Sequence, residues 1–211
     1  MTEMPHADQV RNHARWRPGW APGRTSYAWL LPLGDQPGLR ELANQYQYAL
    51  RDLPGFDPVP LEWMHILLQD VGFTDEVPAG STEALLDAAR TRLASVAPPA
   101  LTFHDGVVLP ESLALPAEPQ SALSELRSAL RAASAEVITE SALPGEPEET
   151  DQHVSLAHPT ADGPAAFAAA TLAATIVEPA TVRVPSVSLV TLTRDHASSE
   201  WETLDRVSFG G

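Results

Sequence analysis

The chain has 211 residues, 44% of them hydrophobic, no cysteine, and a formal charge of −15 from 13 basic and 28 acidic side chains. That length and apolar content suit one sizeable domain or two small lobes and exclude a chain disordered by composition. The missing cysteines exclude disulfides, thiolate metal sites and thiol nucleophiles, and the acidic balance excludes broad binding to long nucleic acid, which needs clustered cations.

Residues 1–24 read as a polar N-terminal arm ending in "WRPGWAPGR", a Pro-Gly turn whose Trp16 and Trp20 rings cover apolar surface. The arm has no apolar segment of the kind that opens a signal peptide. "SYAWLLPL" (26–33) is a dense apolar strand, and "PGLRELANQYQYALRD" follows with Leu39, Leu42, Ala43, Tyr46 and Leu50 at helical spacing. "DPVPLEWMHILLQDVGF" reads as a strand whose prolines confine its start. "STEALLDAARTRLASV" is a helix with Ser81 as N-cap and a stripe of Leu85, Leu86, Ala89, Leu93 and Val96.

"ALTFHDGVVLPESLAL" reads as a hairpin, and "PQSALSELRSALRAASAEV" as a second helix with Leu123, Leu126 and Leu130 on one side. Residues 140–152, rich in Glu and Pro, are the natural connection. After "HVSLAH" comes a helix over "ADGPAAFAAATLAATIV", with Asp162 as its cap and Pro164 in its first turn. Its apolar run is too short and Ala-rich to span a bilayer. "TVRVPSVSLVTLTRD" and "WETLDRVSFGG" close the chain with β patterning. A cytoplasmic monomer with no membrane contact is the expectation.

Two stretches share an order of elements. "HILLQDVGF" leads to a helix and then a hairpin; "HVSLAH" leads to a helix and then strands. This predicts an α+β, bilobal fold: two similar lobes, each a mostly antiparallel sheet with flanking helices, around a central groove. The lobe with the first motif is expected around 60–118 and the second around 150–209. A pseudo-twofold between the His-bearing strands then brings His65 and His153 together across the groove.

Two facing imidazoles suit in-line displacement at a phosphodiester. Each titrates near neutrality, so one can take a proton from the attacking oxygen while the other gives one to the leaving oxygen. Hydroxyl donors and an imidazolium can carry the charge on the phosphorus oxygens, so the chemistry needs no metal or other cofactor. Strand alternation places Ser155 on the face of His153, where it can donate to such an oxygen. By the same parity Gln69 shares the face of His65 and is a substitute donor, while His158 faces away. Tyr27 and Trp29 share parity on an early strand and can stack on a base, but core packing is the stronger reading for both. His6, His13 and His196 lie in polar segments and read as solvated; Arg183 and Arg194 can lend the groove positive charge, although such residues more often form a solvated face or ion pairs with the many acids. No HExxH, phosphate-binding glycine loop or GxSxG elbow is present.

"HVSL" (153–156) resembles the His-x-Ser/Thr-hydrophobic signature of the two-histidine phosphoesterase superfamily, which includes 2'-5' RNA ligases and cyclic phosphodiesterases, and "HILL" (65–68) stands where the first copy belongs. "LEWMHILLQDVGFTDEV", with "WRPGW" and "YAWLL" upstream, is similar to a bacterial 2'-5' RNA ligase branch. The resemblance implies hydrolysis, or reversible ligation, of 2',3'-cyclic phosphate or 2'-5' phosphodiester ends of a small nucleotide or short RNA. It implies His65 and His153 as the catalytic pair and Ser155 as a phosphate-binding hydroxyl. Leu67 departs from the pattern, standing where the family carries Ser or Thr. A protein that binds a phosphorylated ligand without turnover is the alternative that Leu67 motivates.

Overall fold

The structure is a computed structural model that describes residues 6–14, 19–139, 143–144, 152–195 and 198–210. Trp16, His196 and all of the acidic stretch 140–152 except Leu143, Pro144 and Gln152 lie outside those residues, as does the side chain of Arg194. The strands are β1 (Gln9–Val10), β2 (Thr25–Pro32), β3 (Phe56–Pro58), β4 (His65–Phe73), β5 (Ala100–Phe103), β6 (Val107–Leu109), β7 (Ser112–Glu118), β8 (His153–Pro159), β9 (Gly163–Pro164), β10 (Ala180–Arg183), β11 (Ser186–Asp195) and β12 (Ser198–Ser208). The helices are α1 (Pro37–Leu50), α2 (Ser81–Leu93), α3 (Gln120–Val137) and α4 (Ala166–Ala174).

The helical stripes are buried as their spacing predicts, with Leu39, Leu42, Ala43, Tyr46 and Leu50 in α1, Leu85, Leu86, Ala89 and Leu93 in α2, and Leu123, Leu126 and Leu130 in α3; Val96, expected in the second stripe, lies beyond the end of α2 and is half-buried. The caps differ. Gly80, at φ 82°, precedes α2, and Ser81 is its first helical residue. Asp162 does not cap α4; its carboxylate accepts the backbone N–H of Asn12, and Gly163–Pro164 pair with Gln9–Val10. The arm is therefore held against the second motif's end of the molecule. The segment before His65 is not continuous strand: Leu61–Trp63 form a single 3-10 turn and the strand begins at His65.

The fold is α+β with two principal antiparallel sheets, and each histidine motif lies in a different one. The first runs β12-β11-β2-β4; the second runs β10-β5-β7-β8-β3, with β6 also on β7. Sheet membership does not follow the expected grouping of 60–118 and 150–209. The hairpin strands at 100–118 pair beside the second motif, and the C-terminal hairpin pairs beside the first. The reason is β2, which is apolar on both faces: Ala28, Trp29, Leu30 and Leu31 are all fully buried. Such a strand needs a neighbour on each edge, and β11 and β4 supply them. Helices α2 and α3 cover one face of the first sheet, and α1 and α4 pack on the second.

Two joints hold the frame. Trp29 donates its indole N–H to Ser134 Oγ of α3 at 3.1 Å, both groups buried. Gly34 lets the chain after β2 pass directly over the 3-10 turn: a Cβ there would stand 2.5 Å from the Glu62 carbonyl oxygen and 2.7 Å from that of Leu61. Both obstacles are backbone, so neither can swing aside. Gly34→Ala is expected to lower the unfolding free energy by about 1–3 kcal/mol, the usual cost of forced overpacking. Urea denaturation checks it, and an unchanged midpoint would mean the turn ahead of His65 is not packed as described.

Candidate active site

The two motif strands have the same burial pattern. Along β4, His65 and Leu67 are half-buried, Ile66, Leu68 and Gln69 are buried, and Asp70 is half-buried. Along β8, His153 and Ser155 are half-buried, Val154, Leu156 and Ala157 are buried, and His158 is half-buried. The cause is a bulge at the same motif position in each. Leu30 pairs with Leu67 but Trp29 with Gln69, leaving Leu68 extra; Ala114 pairs with Ser155 but Leu113 with Ala157, leaving Leu156 extra. An extra residue reverses the alternation beyond it.

This corrects two readings. Gln69 shares the face of Trp29, the side packed on α3, and is only 4% exposed; its amide donates to the Asp70 carbonyl. It is turned away from the face of His65 and is no donor there. His158, conversely, returns to the face of Ser155. Its ring stacks on His13 of the arm, centroids 3.7 Å apart and planes 11° apart, so His13 is a packing residue and not a solvated one. Trp29 is fully buried and unavailable for stacking on a ligand.

The motif face of the first sheet is apolar. Ala28, Leu30, Val190 and Leu192 form a small cluster there, with Trp20, Leu67 and Trp201 packed against it. Trp201 of β12 reaches the mouth of the site: its ring lies 4.8 Å from that of His65 and 4.7 Å from that of Trp63, edge-on to both. Sequence reasoning missed Trp201. Its β-patterned context marks a strand residue, but only the curl of the sheet carries an edge strand to His65.

His65 donates from Nδ1 to the Trp63 carbonyl at 2.9 Å. A carbonyl can only accept, so Nδ1 carries the proton and Nε2 of the neutral ring holds the lone pair. Burial pushes the His65 pKa below its ordinary value; the Trp63 carbonyl opposes that shift, and repulsion from His153 adds to it. His153 is thus among the groups whose charge acts on the His65 ring. On β8, Ser112 Oγ lies 2.9 Å from Ser155 Oγ. Among the described residues no group of three or more His, Asp or Glu side chains stands where a metal ion would be held.

Residues 23–196 match the family described as the 2'-5' RNA ligase superfamily. The chain belongs to that superfamily. Its fold is that of solved relatives. TT0787 of Thermus thermophilus superposes with a TM-score of 0.64 at 23% identity, over 89% of this chain and 98% of that one. E. coli LigT, solved with NADP+, superposes with a TM-score of 0.59 at 15% identity, over 89% and 99% of the two chains. A third structure, described as a phosphoesterase, gives 0.53 at 18% identity, over 90% of this chain and 100% of that one. Comparison with curated proteins found no match. As a member of the 2'-5' RNA ligase superfamily the chain is of the phosphoesterase type, and no helix among its described residues is long and apolar enough to cross a membrane.

The lowered pKa of His65 fixes a sign. The unfolded chain takes up a proton near pH 6.5, the folded ring only at lower pH. The contribution of His65 to stability is thus complete above about pH 6.5 and is lost as the pH falls below it. NMR titration is expected to place the His65 midpoint below the ordinary histidine value, and His153→Ala to move it upward. A His65 midpoint that His153→Ala leaves in place would show that the two rings are not coupled.

Proposed function

We propose that this protein is a metal-independent phosphoesterase that opens 2',3'-cyclic phosphates, or cleaves 2'-5' phosphodiester ends, of small nucleotides or short RNA. The observation that carries the reading is the His65 ring, whose Nδ1 is engaged by the Trp63 carbonyl so that Nε2 is the proton acceptor; burial and the charge of His153 both push its pKa down in support. These are the properties of a base paired with an acid.

In the forward step a water oxygen attacks phosphorus while His65 Nε2 takes its proton. The bond from phosphorus to the 2' or 3' oxygen breaks, and His153 gives that oxygen a proton. The product is a phosphomonoester, and the pair is reset by returning the proton from His65 to His153 through solvent. With an RNA 5'-hydroxyl in place of water, the same steps form a phosphodiester. Ser155 donates to a non-bridging oxygen. Trp201 and Trp63 provide an aromatic wall for a base beside His65. E. coli LigT, crystallised with 3'-AMP, ATP and phosphate, supports a ligand of nucleotide size. The charge of −15 supports a short one. A cytoplasmic, monomeric protein is part of this reading.

Leu67 favours a second reading, binding without turnover. It puts an alkyl group on the motif face where a hydroxyl would meet the phosphate, and it packs with the apolar cluster there. A hydrogen bond to a charged group is worth about 1.5–3 kcal/mol, or roughly 10- to 150-fold in rate.

Hydrolysis of the four 2',3'-cyclic nucleoside monophosphates in excess chelator is the test. Turnover is expected in the parent protein with a bell-shaped pH profile, and its loss in both His65→Ala and His153→Ala. Leu67→Thr is expected to raise kcat/KM by at least about 10-fold, on the hydrogen-bond energy above. Retained nucleotide binding with no turnover in either the parent or Leu67→Thr would instead establish the binding reading. Trp201→Ala is expected to raise KM roughly 5- to 150-fold, the range for losing one stacked base. An unchanged KM would remove the aromatic wall from the site.

A further inference from the structure

We infer that Ser112 is a positioning residue that makes Ser155 a donor to the anionic ligand, an inference that rests on the proposed phosphate-binding role of Ser155. Ser112 opens β7, on the strand next to β8, and is 5% exposed. Its Oγ lies 2.9 Å from Ser155 Oγ and 3.0 Å from the Leu113 carbonyl oxygen. Ser155 itself is half-buried and keeps access to the motif face. The buried hydroxyl thus stands behind the half-buried one.

A hydroxyl carries one proton and two lone pairs. Ser112 has two acceptors in reach and can serve either. Without a ligand, the single Ser112 proton is shared between two acceptors, Ser155 Oγ and the Leu113 carbonyl oxygen. With an anionic oxygen on the motif face, Ser155 turns its proton outward and Ser112 turns its own to Ser155 Oγ. The result is a chain, Ser112 O–H to Ser155 Oγ, Ser155 O–H to the phosphate oxygen, in which each bond polarises the next. No bond to a heavy atom is made or broken, and the Leu113 carbonyl gives up one hydrogen bond. On β4 the position of Ser155 is taken by Leu67, so this relay belongs to the second motif alone.

The test is a double-mutant cycle of Ser112→Ala and Ser155→Ala. Turnover of 2',3'-cyclic AMP and binding of 3'-AMP by calorimetry are read together, with thermal unfolding recorded for each variant. Ser155→Ala is expected to lower kcat/KM and 3'-AMP affinity roughly 10- to 150-fold, the worth of a charge-assisted hydrogen bond. Ser112→Ala is expected to cost about 3- to 10-fold, the worth of a neutral one, and to cost nothing further when Ser155 is already Ala. The pH profile should not move, because neither hydroxyl titrates in the working range. An equal loss from Ser112→Ala in both backgrounds would show a merely structural serine and overturn the inference while leaving Ser155 in place. A Ser155→Ala variant as good as the parent protein, or a parent that neither binds 3'-AMP nor turns over the cyclic nucleotide, would overturn the reading of the site and this inference with it.

Discussion

The hydrogen bond from His65 Nδ1 to the carbonyl of Trp63 decides which nitrogen of the first histidine can do chemistry, and the surrounding fold is arranged to keep it. The carbonyl belongs to a 3-10 turn that Gly34 allows the neighbouring chain to press upon, and the turn delivers the backbone into β4 at His65 itself. Burial then disfavours the charged ring, and Trp201 stands edge-on to it. A ring with one nitrogen occupied and its charged form penalised has one service left, accepting a proton at Nε2. The remainder of the site can therefore be asymmetric without disorder in its roles.

That asymmetry lies between two strands whose backbones match through the motif, although β4 has a further irregularity at Val71. Each motif strand has its bulge one residue past the third motif position, so the same three side-chain directions recur in both: 65, 67 and 70 on one, 153, 155 and 158 on the other. Onto equivalent scaffolds the sequence places opposite chemistry. The β8 side carries a hydroxyl backed by a second, buried hydroxyl. The β4 side carries Leu67 on a surface of Ala28, Leu30, Val190 and Leu192 flanked by two tryptophans. On the proposed reading, the β8 side hydrogen-bonds the ligand and the β4 side excludes water from an apolar or aromatic group.

The helices and the third residue of each motif were legible because both follow from short periods. Leu39, Leu42, Ala43, Tyr46 and Leu50 can share one face only in a helix, and Ser155 can share the face of His153 wherever the strand is regular. Beyond the third position that reasoning failed at once for Gln69 and His158, because nothing in "HILLQ" or "HVSLAH" announces a bulge. The exchange of hairpins between sheets was hidden for a different reason. Repeated order along the chain states which elements resemble each other, not which pair, and pairing was decided by the need of β2 for two neighbours. Trp201 and Ser112 were out of reach because each meets its partner across strands far apart in sequence.

Charge and site make a consistent case about the size and state of the ligand. A surface at −15 opposes any anion at long range, and the opposition grows with each charge the ligand carries. On the proposed reading, the site sets short-range groups against it: one hydroxyl relay, an aromatic wall, and a first histidine whose burial and repulsion from His153 disfavour its charged form. On the proposed reading a cyclic phosphodiester, with a single negative charge and a base to stack, suits this balance. The phosphomonoester it yields approaches two negative charges near neutral pH and suits it less well. The same sparseness of cations that limits the affinity for substrate then favours departure of product, so the acidic surface and the missing first hydroxyl act in one direction, toward a small, weakly charged ligand that is held briefly.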